Sequence, residues 1–322
     1  MALVVGTLGC SSKGTKPTEE GTANAVSIEP KMAFNTDSAY AYIKRQVLFG
    51  PRVPGTAGHS RCADWIVGEL KRHNADTVIE QKSEVTAYTG DRLPINNIMA
   101  RYNVASPRRV LLLAHWDTRP WADQDDNEEN RHRPIDGAND GGSGVGVLLE
   151  LARNFGKVRP DIGVDLLFVD AEDYGRAEGF GNNNETWCLG TQYWAENMPY
   201  GDGVLPEYAV CLDMVGGIDA VFHREFISNV KARSVVDKVW KIASQSGYGA
   251  KFNNDVGGSI VDDHLFINNA GIPAIVIVES TNPQTRSFPP TWHTMSDNMQ
   301  NIDKTSLKAV GQTVTNLIYQ EK

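Results

Sequence analysis

Residues 166–175 read LLFVDAEDYG, and the rest of the chain is best interpreted outward from this stretch. The apolar run 166–169 is typical of a strand buried on both faces. It is followed by Asp170, Glu172 and Asp173. Carboxylates after a buried strand are costly unless a cation binds them or they take part in chemistry, so one could hold a metal while another moves a proton. A solvated acidic loop is the alternative.

Two other apolar runs end in the same kind of residue. The run 110–114 is followed by His115-Trp116-Asp117, and the run 208–212 is followed by Asp213. Because the carboxyl ends of parallel strands share one edge of a sheet, these side chains are expected to form one site. Imidazole together with carboxylate oxygens is a typical zinc ligand set.

Composition restricts the class of protein. The chain has 322 residues, 41% of them hydrophobic, which is enough for one large α/β domain. The net charge of −9 and the pI of about 5.3 argue against nucleic acid as a main partner. No apolar run reaches the length of a membrane span.

The first residues resemble an export signal. Residues 1–10, MALVVGTLGC, look like the end of a bacterial lipoprotein signal that places a lipid on Cys10. A frayed apolar terminus is the alternative. With the polar stretch that follows, residues 1–33 are predicted to be a signal-like segment and tether. The resemblance implies a protein exported to the periplasm that contacts a membrane only through Cys10.

The cysteine spacing argues against a cysteine-rich metal site, because none of the four cysteines forms a CxxC pair. If the protein is exported, its cysteines Cys62, Cys188 and Cys211 lie in an oxidising compartment where disulfides can form. Because they are three in number, at least one stays unpaired within the chain. Cys211 lies within a predicted buried strand, where a small core residue is expected.

Strands alternate with helices along the chain, which predicts a single α/β domain with a mostly parallel, twisted central sheet and helices on both faces. The predicted strands are 77–87, 97–103, 110–114, 166–169, 208–212 and 274–278. The predicted helices are 36–48, 56–73, 141–155, 191–197, 230–246 and 304–319. Loops are expected at 116–139 and 253–263, and a loop as long as the first is more often functional than idle.

Ten polar residues are candidates for a site, and all of them except Asp117 lie at or just past the end of a predicted element. Each one alone is more typical of a cap or a turn than of a ligand. Their joint occurrence at successive strand ends is far more specific. They are His115, Asp117, Asp140, Glu172, Asp173, Asp213, Asp262, Asp263, His264 and His293.

The order of these residues resembles the M28 zinc-peptidase family, which implies a catalytic domain over residues 34–322. That family has a His-x-Asp after a strand, an Asp before a helix, an acidic pair, a further Asp and a late His. The matching positions are His115-Trp116-Asp117, Asp140, Glu172-Asp173, Asp213 and His293. The family's aminopeptidase-like fold agrees with the predicted α/β sheet.

Four segments resemble the glutaminyl cyclases within that family. They are 211–217 (CLDMVGG), Asp262-Asp263-His264, Phe288-Pro289 and 292–298 (WHTMSDN), of which the last is the most specific. Glu172-Asp173 departs from the Glu-Glu pair of the animal enzymes. Because Asp and Glu both coordinate zinc, Asp173 keeps a ligand at this position, with a shorter side chain.

The resemblance implies an enzyme that converts the N-terminal glutamine of peptides or proteins to pyroglutamate with release of ammonia. It implies one Zn²⁺ held by Asp140, Asp173 and His293. It also implies that Glu172 carries a proton from the α-amine to the leaving nitrogen.

The remaining positions are implied to shape the substrate pocket. Asp213 and Asp262 would hold the reacting amide by hydrogen bonds. Trp292, Phe288 and Trp187 would wall the pocket and exclude water, which would otherwise compete as a nucleophile.

Two alternatives stay open. In an M28 aminopeptidase, His115 and Asp213 would hold a second zinc and activate a water. A non-catalytic binding ectodomain on the same fold would be expected to show broken ligand positions, and none is broken here.

Overall fold

The computed structural model describes residues 29–177, 183–201 and 204–322. Cys10 and most of the expected tether lie outside the described residues. No helix in the described part is both long and apolar enough to cross a membrane. The α-helices are α1 (Thr36–Val47), α2 (Ala57–Arg72), α3 (Gly142–Lys157), α4 (Leu189–Glu196), α5 (Phe226–Lys231), α6 (Arg233–Gln245), α7 (Asp263–Asn269) and α8 (Lys304–Gln320). The strands are β1 (Thr77–Thr86), β2 (Arg92–Tyr102), β3 (Arg109–His115), β4 (Gly163–Val169), β5 (Tyr208–Leu212), β6 (Phe222–Arg224), β7 (Phe252–Val256) and β8 (Ala274–Ile277).

Six strands form the central sheet, in the order β1-β2-β4-β3-β5-β8. The neighbours β4, β3, β5 and β8 are parallel, while β1 and β2 add an antiparallel edge. The prediction of a mostly parallel sheet is therefore confirmed. The carboxyl ends of β4, β3 and β5 lie side by side at one edge of this sheet, as predicted from the polar residues that follow these three strands.

Both faces of the sheet are covered by helices. Along β3, Val110 and Leu112 belong to one hydrophobic core, which includes residues of α1, α2, α3, α6 and α8. Leu111 and Leu113 point the other way, into a smaller core with α4 and α7. Alternation of side chains along a strand explains why these runs are apolar throughout.

Helix α3 lies unusually close to the sheet. A Cβ on Gly144 would come within 2.1 Å of the carbonyl oxygen of Leu212, so only glycine allows this approach. Gly141, at φ +77, precedes the helix in a conformation that favours glycine. The close packing brings Asp140, just before the helix, to the carboxyl ends of β3 and β5.

Four local predictions differ from the structure. The strand predicted from residue 97 begins at Arg92, because β2 pairs with β1 right up to the hairpin. The helix predicted over 230–246 is two helices that meet at Ala232, whose φ of −137° is not helical. Part of the loop predicted over 253–263 is β7, which pairs with β6. Helix α7 was not predicted, and it is only seven residues long.

Cys62, Cys188 and Cys211 are all buried and unpaired in the described structure. Cys211 is a core residue of β5, as expected.

Candidate active site

The site lies at the carboxyl edge of the sheet, where three parallel strands end side by side. His115 is the last residue of β3, and Asp213 follows β5 directly. After β4 the chain turns at Ala171, whose φ of +48° is left-handed, and this turn gives Glu172 and Asp173 different directions. Asp140 and His293 enter the same space from other parts of the chain.

Asp140, Asp173 and His293 form a buried group that fits a metal cation. Nε2 of His293 lies 3.1 Å from Oδ1 of Asp173 and 3.6 Å from Oδ2 of Asp140. Oδ2 of Asp140 and both carboxylate oxygens of Asp173 are buried without a hydrogen-bond partner among the described residues. Unpaired buried carboxylate oxygens are costly, and a bound cation would satisfy them.

A second group shares Asp140 with the first. Nε2 of His115 lies 3.0 Å from Oδ1 of Asp140 and 3.3 Å from Oδ1 of Asp213. The ligand atoms within each group lie within 4.8 Å of one another. The two oxygens of Asp140 therefore face two different histidines, which is the arrangement expected of a carboxylate able to bridge two cations.

Two further aspartates hold the backbone of these residues in place. The carboxylate of Asp117 accepts the N–H groups of Glu172 (3.1 Å) and Asp173 (3.2 Å). The carboxylate of Asp297 accepts the N–H groups of residues 139 (2.7 Å) and 140 (3.0 Å). Burial raises the pKa of Asp297 to about 7, with a further increase from the nearby Asp140. The sequence shows Asp297 only as part of the segment WHTMSDN, with no indication of this role.

The outer side of His293 is held by a carboxylate that sequence reasoning missed. Oδ1 of Asp123 lies 3.2 Å from Nδ1 of His293. Arg119 donates to both oxygens of Asp123, at 2.9 and 2.6 Å. Burial disfavours the charged form of His293, but Asp173 and Asp123 together raise its pKa above the ordinary value. The only signal in the sequence was that this loop is long and acidic.

Glu172 points into the same cavity without joining the two histidine-containing groups. The thiol of Cys188 donates to its Oε1 over 3.1 Å. Burial raises the pKa of Glu172 well above the ordinary value; His115 opposes this shift, and Asp263 reinforces it. A carboxyl group of this kind holds a proton more readily than one in water.

Asp262 and Asp263 face different surroundings. Asp263 accepts a hydrogen bond from the hydroxyl of Thr191 over 2.6 Å, and burial raises its pKa to about 8. Asp262 lines the cavity, and its Oδ2 has no hydrogen-bond partner among the described residues. Burial raises the pKa of Asp262 to about 6, with Asp213 adding to the increase. His264 points away from the cavity and lies 3.1 Å from Glu225.

One pocket of about 570 Å³ contains all nine residues predicted as metal ligands, catalytic groups or pocket walls. They are Asp140, Glu172, Asp173, Trp187, Asp213, Asp262, Phe288, Trp292 and His293. His115 and Asp117 lie behind this wall, fully buried. The structure thus brings together residues from positions 140 to 293 of the chain.

Aromatic rings enclose His293. The ring of Trp292 stacks on that of His293, with centroids 3.7 Å apart, and Trp187 lies roughly parallel to His293 at 6.2 Å. Phe288 packs against Trp292, with centroids 4.6 Å apart. The pocket therefore has an acidic floor and an apolar, aromatic wall.

The sequence pattern that defines peptidase family M28 matches residues 97–318, more than half of the chain. The chain belongs to this family. The resemblance found in the motifs is thereby confirmed. Members of the family are zinc-dependent, and the described residues include groups able to hold a metal ion.

Relatives within the family include glutaminyl cyclases. The glutaminyl cyclase of Bacteroides thetaiotaomicron, solved with N-acetylhistamine, is 49% identical with a TM-score of 0.87, covering 90% of this chain and 99% of that chain. A structure from the same organism described as a leucine aminopeptidase precursor is also 49% identical, with a TM-score of 0.86 over the same shares. Bovine (Bos taurus) glutaminyl-peptide cyclotransferase is 25% identical over 289 residues, 80% of this chain and 74% of that protein. The predicted fold class is confirmed by these similarities.

Proposed function

We propose that this protein is a glutaminyl-peptide cyclotransferase, which converts an N-terminal glutamine to pyroglutamate and releases ammonia. The observation that carries the proposal is that all nine residues predicted as metal ligands, catalytic groups or pocket walls line a single pocket. The similarity to a glutaminyl cyclase over 90% of the chain supports the same activity. Peptides or proteins that begin with glutamine are the substrates.

The proposed cofactor is one Zn²⁺ held by Asp140, Asp173 and His293. Support comes from the buried, unpartnered oxygens of the two aspartates and from the nearby imidazole nitrogen. When bound there, zinc supplies a Lewis acid that polarises the side-chain amide carbonyl. Asp123 and Asp297 would hold this set in position through the hydrogen bonds and ion pairs described above.

Glu172 is the proposed proton carrier. The α-amine attacks the side-chain amide carbon, a new N–C bond forms, and the original C–N bond breaks to release ammonia. Glu172 takes the proton lost by the amine and gives a proton to the leaving nitrogen. Its raised pKa suits a group that must hold the proton between these two steps.

Asp213 and Asp262 are proposed to orient the substrate by accepting hydrogen bonds from its nitrogen atoms. The unpartnered Oδ2 of Asp262 in the pocket wall supports this role. The rings of Trp187, Phe288 and Trp292 would exclude bulk water, so that the amine rather than water attacks the amide.

A di-zinc aminopeptidase is the second candidate, and one observation favours it. The group formed by His115, Asp140 and Asp213 could hold a second cation beside the first. The two activities release different products, so one assay separates them. The protein is incubated with glutaminyl and leucyl peptide surrogates, and ammonia release is compared with hydrolysis. Release of ammonia from the glutaminyl substrate without peptide hydrolysis is expected, and leucine release without ammonia would overturn the proposal.

We also propose that the protein is exported and attached to a membrane through a lipid on Cys10. The support is the signal-like sequence that ends at this cysteine. Metabolic labelling of the full-length chain with a radioactive fatty acid should mark the wild type and not the Cys10→Ala variant. An unlabelled wild-type chain would overturn this proposal.

A further inference from the structure

His264 belongs to the segment Asp262-Asp263-His264, but the proposed reaction gives it no task. Its side chain is fully buried and does not line the active-site pocket. Nε2 lies 3.1 Å from Oε2 of Glu225, and Nδ1 is buried without a hydrogen-bond partner among the described residues. Within the described structure, the contact with Glu225 is therefore the one hydrogen bond that this imidazole makes.

Glu225 is a fully buried carboxylate that is surrounded by hydrogen-bond donors. Oε1 accepts the N–H groups of Ile227 (2.8 Å) and Ile260 (3.1 Å), and Oε2 accepts the N–H group of Ser228 (2.6 Å). Burial opposes the ionisation of Glu225, but His264 and the N–H groups of α5 lower its pKa below the ordinary value. An ionised carboxylate only accepts hydrogen bonds, so Nε2 of His264 is the donor in their contact.

Glu225 faces a short stretch of the pocket wall, residues 258–262, here called the wall segment. Each of its residues lines the active-site pocket. The wall segment lies between the end of β7 and the start of α7 and belongs to neither element. Glu225 holds the chain on both sides of Asp262, through the N–H group of Ile260 before it and the imidazole of His264 after it.

Glu225 is itself tied to the central sheet. It directly precedes α5, and the hydroxyl of Ser228 in this helix accepts the N–H group of Val276 in β8 over 3.1 Å. The N–H group of Phe226 also donates to the carbonyl oxygen of Gly258 in the wall segment, over 3.0 Å. The wall segment is therefore connected through Glu225 and α5 to a strand of the sheet.

Asp262 depends on this support because its own carboxylate has few contacts. Oδ1 accepts a hydrogen bond from the N–H group of Asp263, and Oδ2 has no partner among the described residues. Resting on the proposed function, we propose that Glu225 and His264 are positioning residues that hold Asp262 where it binds the substrate. A displacement of about 1 Å in a substrate-binding group can reduce a rate by roughly 10²-fold.

The test uses His264→Asn and His264→Gln, two amides that differ by one methylene group. The amide nitrogen of glutamine reaches about as far as Nε2 of histidine and can donate to Glu225, whereas that of asparagine is too short. With Gln-Ala amide as the substrate, His264→Asn should lower kcat/KM for ammonia release about tenfold, the usual scale for losing a hydrogen bond to a charged group. His264→Gln should keep most of the rate, and the zinc content of both variants should equal that of the wild type.

A double-mutant cycle with Asp262→Asn separates positioning from packing. If His264 acts through Asp262, His264→Asn should change the residual kcat/KM of the Asp262→Asn protein by less than about twofold. Glu225→Gln removes the charge of the other partner and should show the same dependence on Asp262, so the test remains available if His264→Asn does not fold.

His73→Asn is the matched control. His73 is also buried, contacts Tyr42 and does not line the pocket, so this variant should lower the melting temperature without changing kcat/KM. Wild-type kinetics in His264→Asn, an equal loss in His264→Gln or in the control, or the same loss with and without Asp262 would overturn the inference alone. A wild-type protein that released no ammonia from Gln-Ala amide would overturn the proposed function and this inference with it.

Discussion

The thiol of Cys188 and the carboxylate of Glu172 form a buried hydrogen bond, with Sγ 3.1 Å from Oε1. The backbone N–H of Cys188 also donates to the carbonyl oxygen of Glu172 over 3.0 Å. Cys188 has a φ of +55°, so its side chain is directed by a left-handed backbone just before α4. The orientation of the proposed proton carrier therefore depends on a residue 16 positions further along the chain.

Removing this thiol should slow the reaction without affecting metal binding. We expect Cys188→Ala to reduce kcat about tenfold, the usual scale for losing a hydrogen bond to a charged group, with KM and zinc content unchanged. Cys188→Ser should recover most of the rate because the hydroxyl also donates. Steady-state kinetics and metal analysis of both variants provide the measurement. An equal loss in both, accompanied by a lowered melting temperature, would assign Cys188 to packing instead.

Glu172 and Asp173 are neighbours with opposite expected roles. Glu172→Gln keeps the size of the side chain but cannot transfer a proton, so turnover should fall by roughly 10²-fold or more with zinc still bound. Asp173→Asn should weaken zinc binding, because it removes a charge from the ligand set. Zinc content by metal analysis, measured beside ammonia release, separates the two effects. The reverse pattern would mean that the two roles are exchanged.

The parts of this site that could be predicted from the sequence are those determined by a local sequence pattern. Apolar runs predict the buried strands, and the residues after them, such as His115 and Asp213, must meet at one sheet edge. Asp123 and Asp297 were not assigned roles, because their partners lie more than 150 residues away in the chain. Nothing in a local pattern specifies such contacts. Helix α7 and the β6–β7 pair were not predicted, for a related reason. Each is short and is stabilised by tertiary packing rather than marked by a periodic pattern in its own sequence.

Metal stoichiometry tests which of the two histidine-containing groups binds zinc. We expect one zinc per chain, with His293→Gln losing it and His115→Gln retaining it, because only the first group contains Asp173, neither of whose carboxylate oxygens has a hydrogen-bond partner among the described residues. Both histidines are buried, so the two variants are matched in position and chemistry. Elemental analysis after extensive dialysis gives the count. Two tightly held zincs in the wild type, one of them lost in His115→Gln, would favour the aminopeptidase.

The boundary between tether and domain can be located from Phe34. Its ring packs so closely on α8 that a Cβ on Gly311 would lie 2.3 Å from it, and its N–H donates to Gln312 over 2.9 Å. A chain that starts at residue 29 should keep its activity and stability. One that starts at residue 35 should lose about 3 kcal/mol of unfolding free energy, the cost typical of removing a buried phenylalanine. Urea denaturation of the two chains gives this difference, and equal stability would place the boundary after Phe34.

His73 should make the stability of the protein depend on pH. The histidine is buried, and its Nε2 lies 2.8 Å from the hydroxyl oxygen of Tyr42. A neutral imidazole can accept a hydrogen bond from this hydroxyl. Burial and the nearby Arg72 lower its pKa from 6.5 to about 4, against a smaller opposing effect of Glu69. Between these two values the unfolded chain binds the proton and the folded chain does not. The contribution of His73 to stability is therefore fully present above pH 6.5 and is lost as the pH falls toward 4.

Urea denaturation at pH 7 and pH 5 should show a larger loss of unfolding free energy in the wild type than in His73→Gln, which cannot titrate. Equal losses in the two proteins would show that His73 is protonated in the folded state at an ordinary pKa.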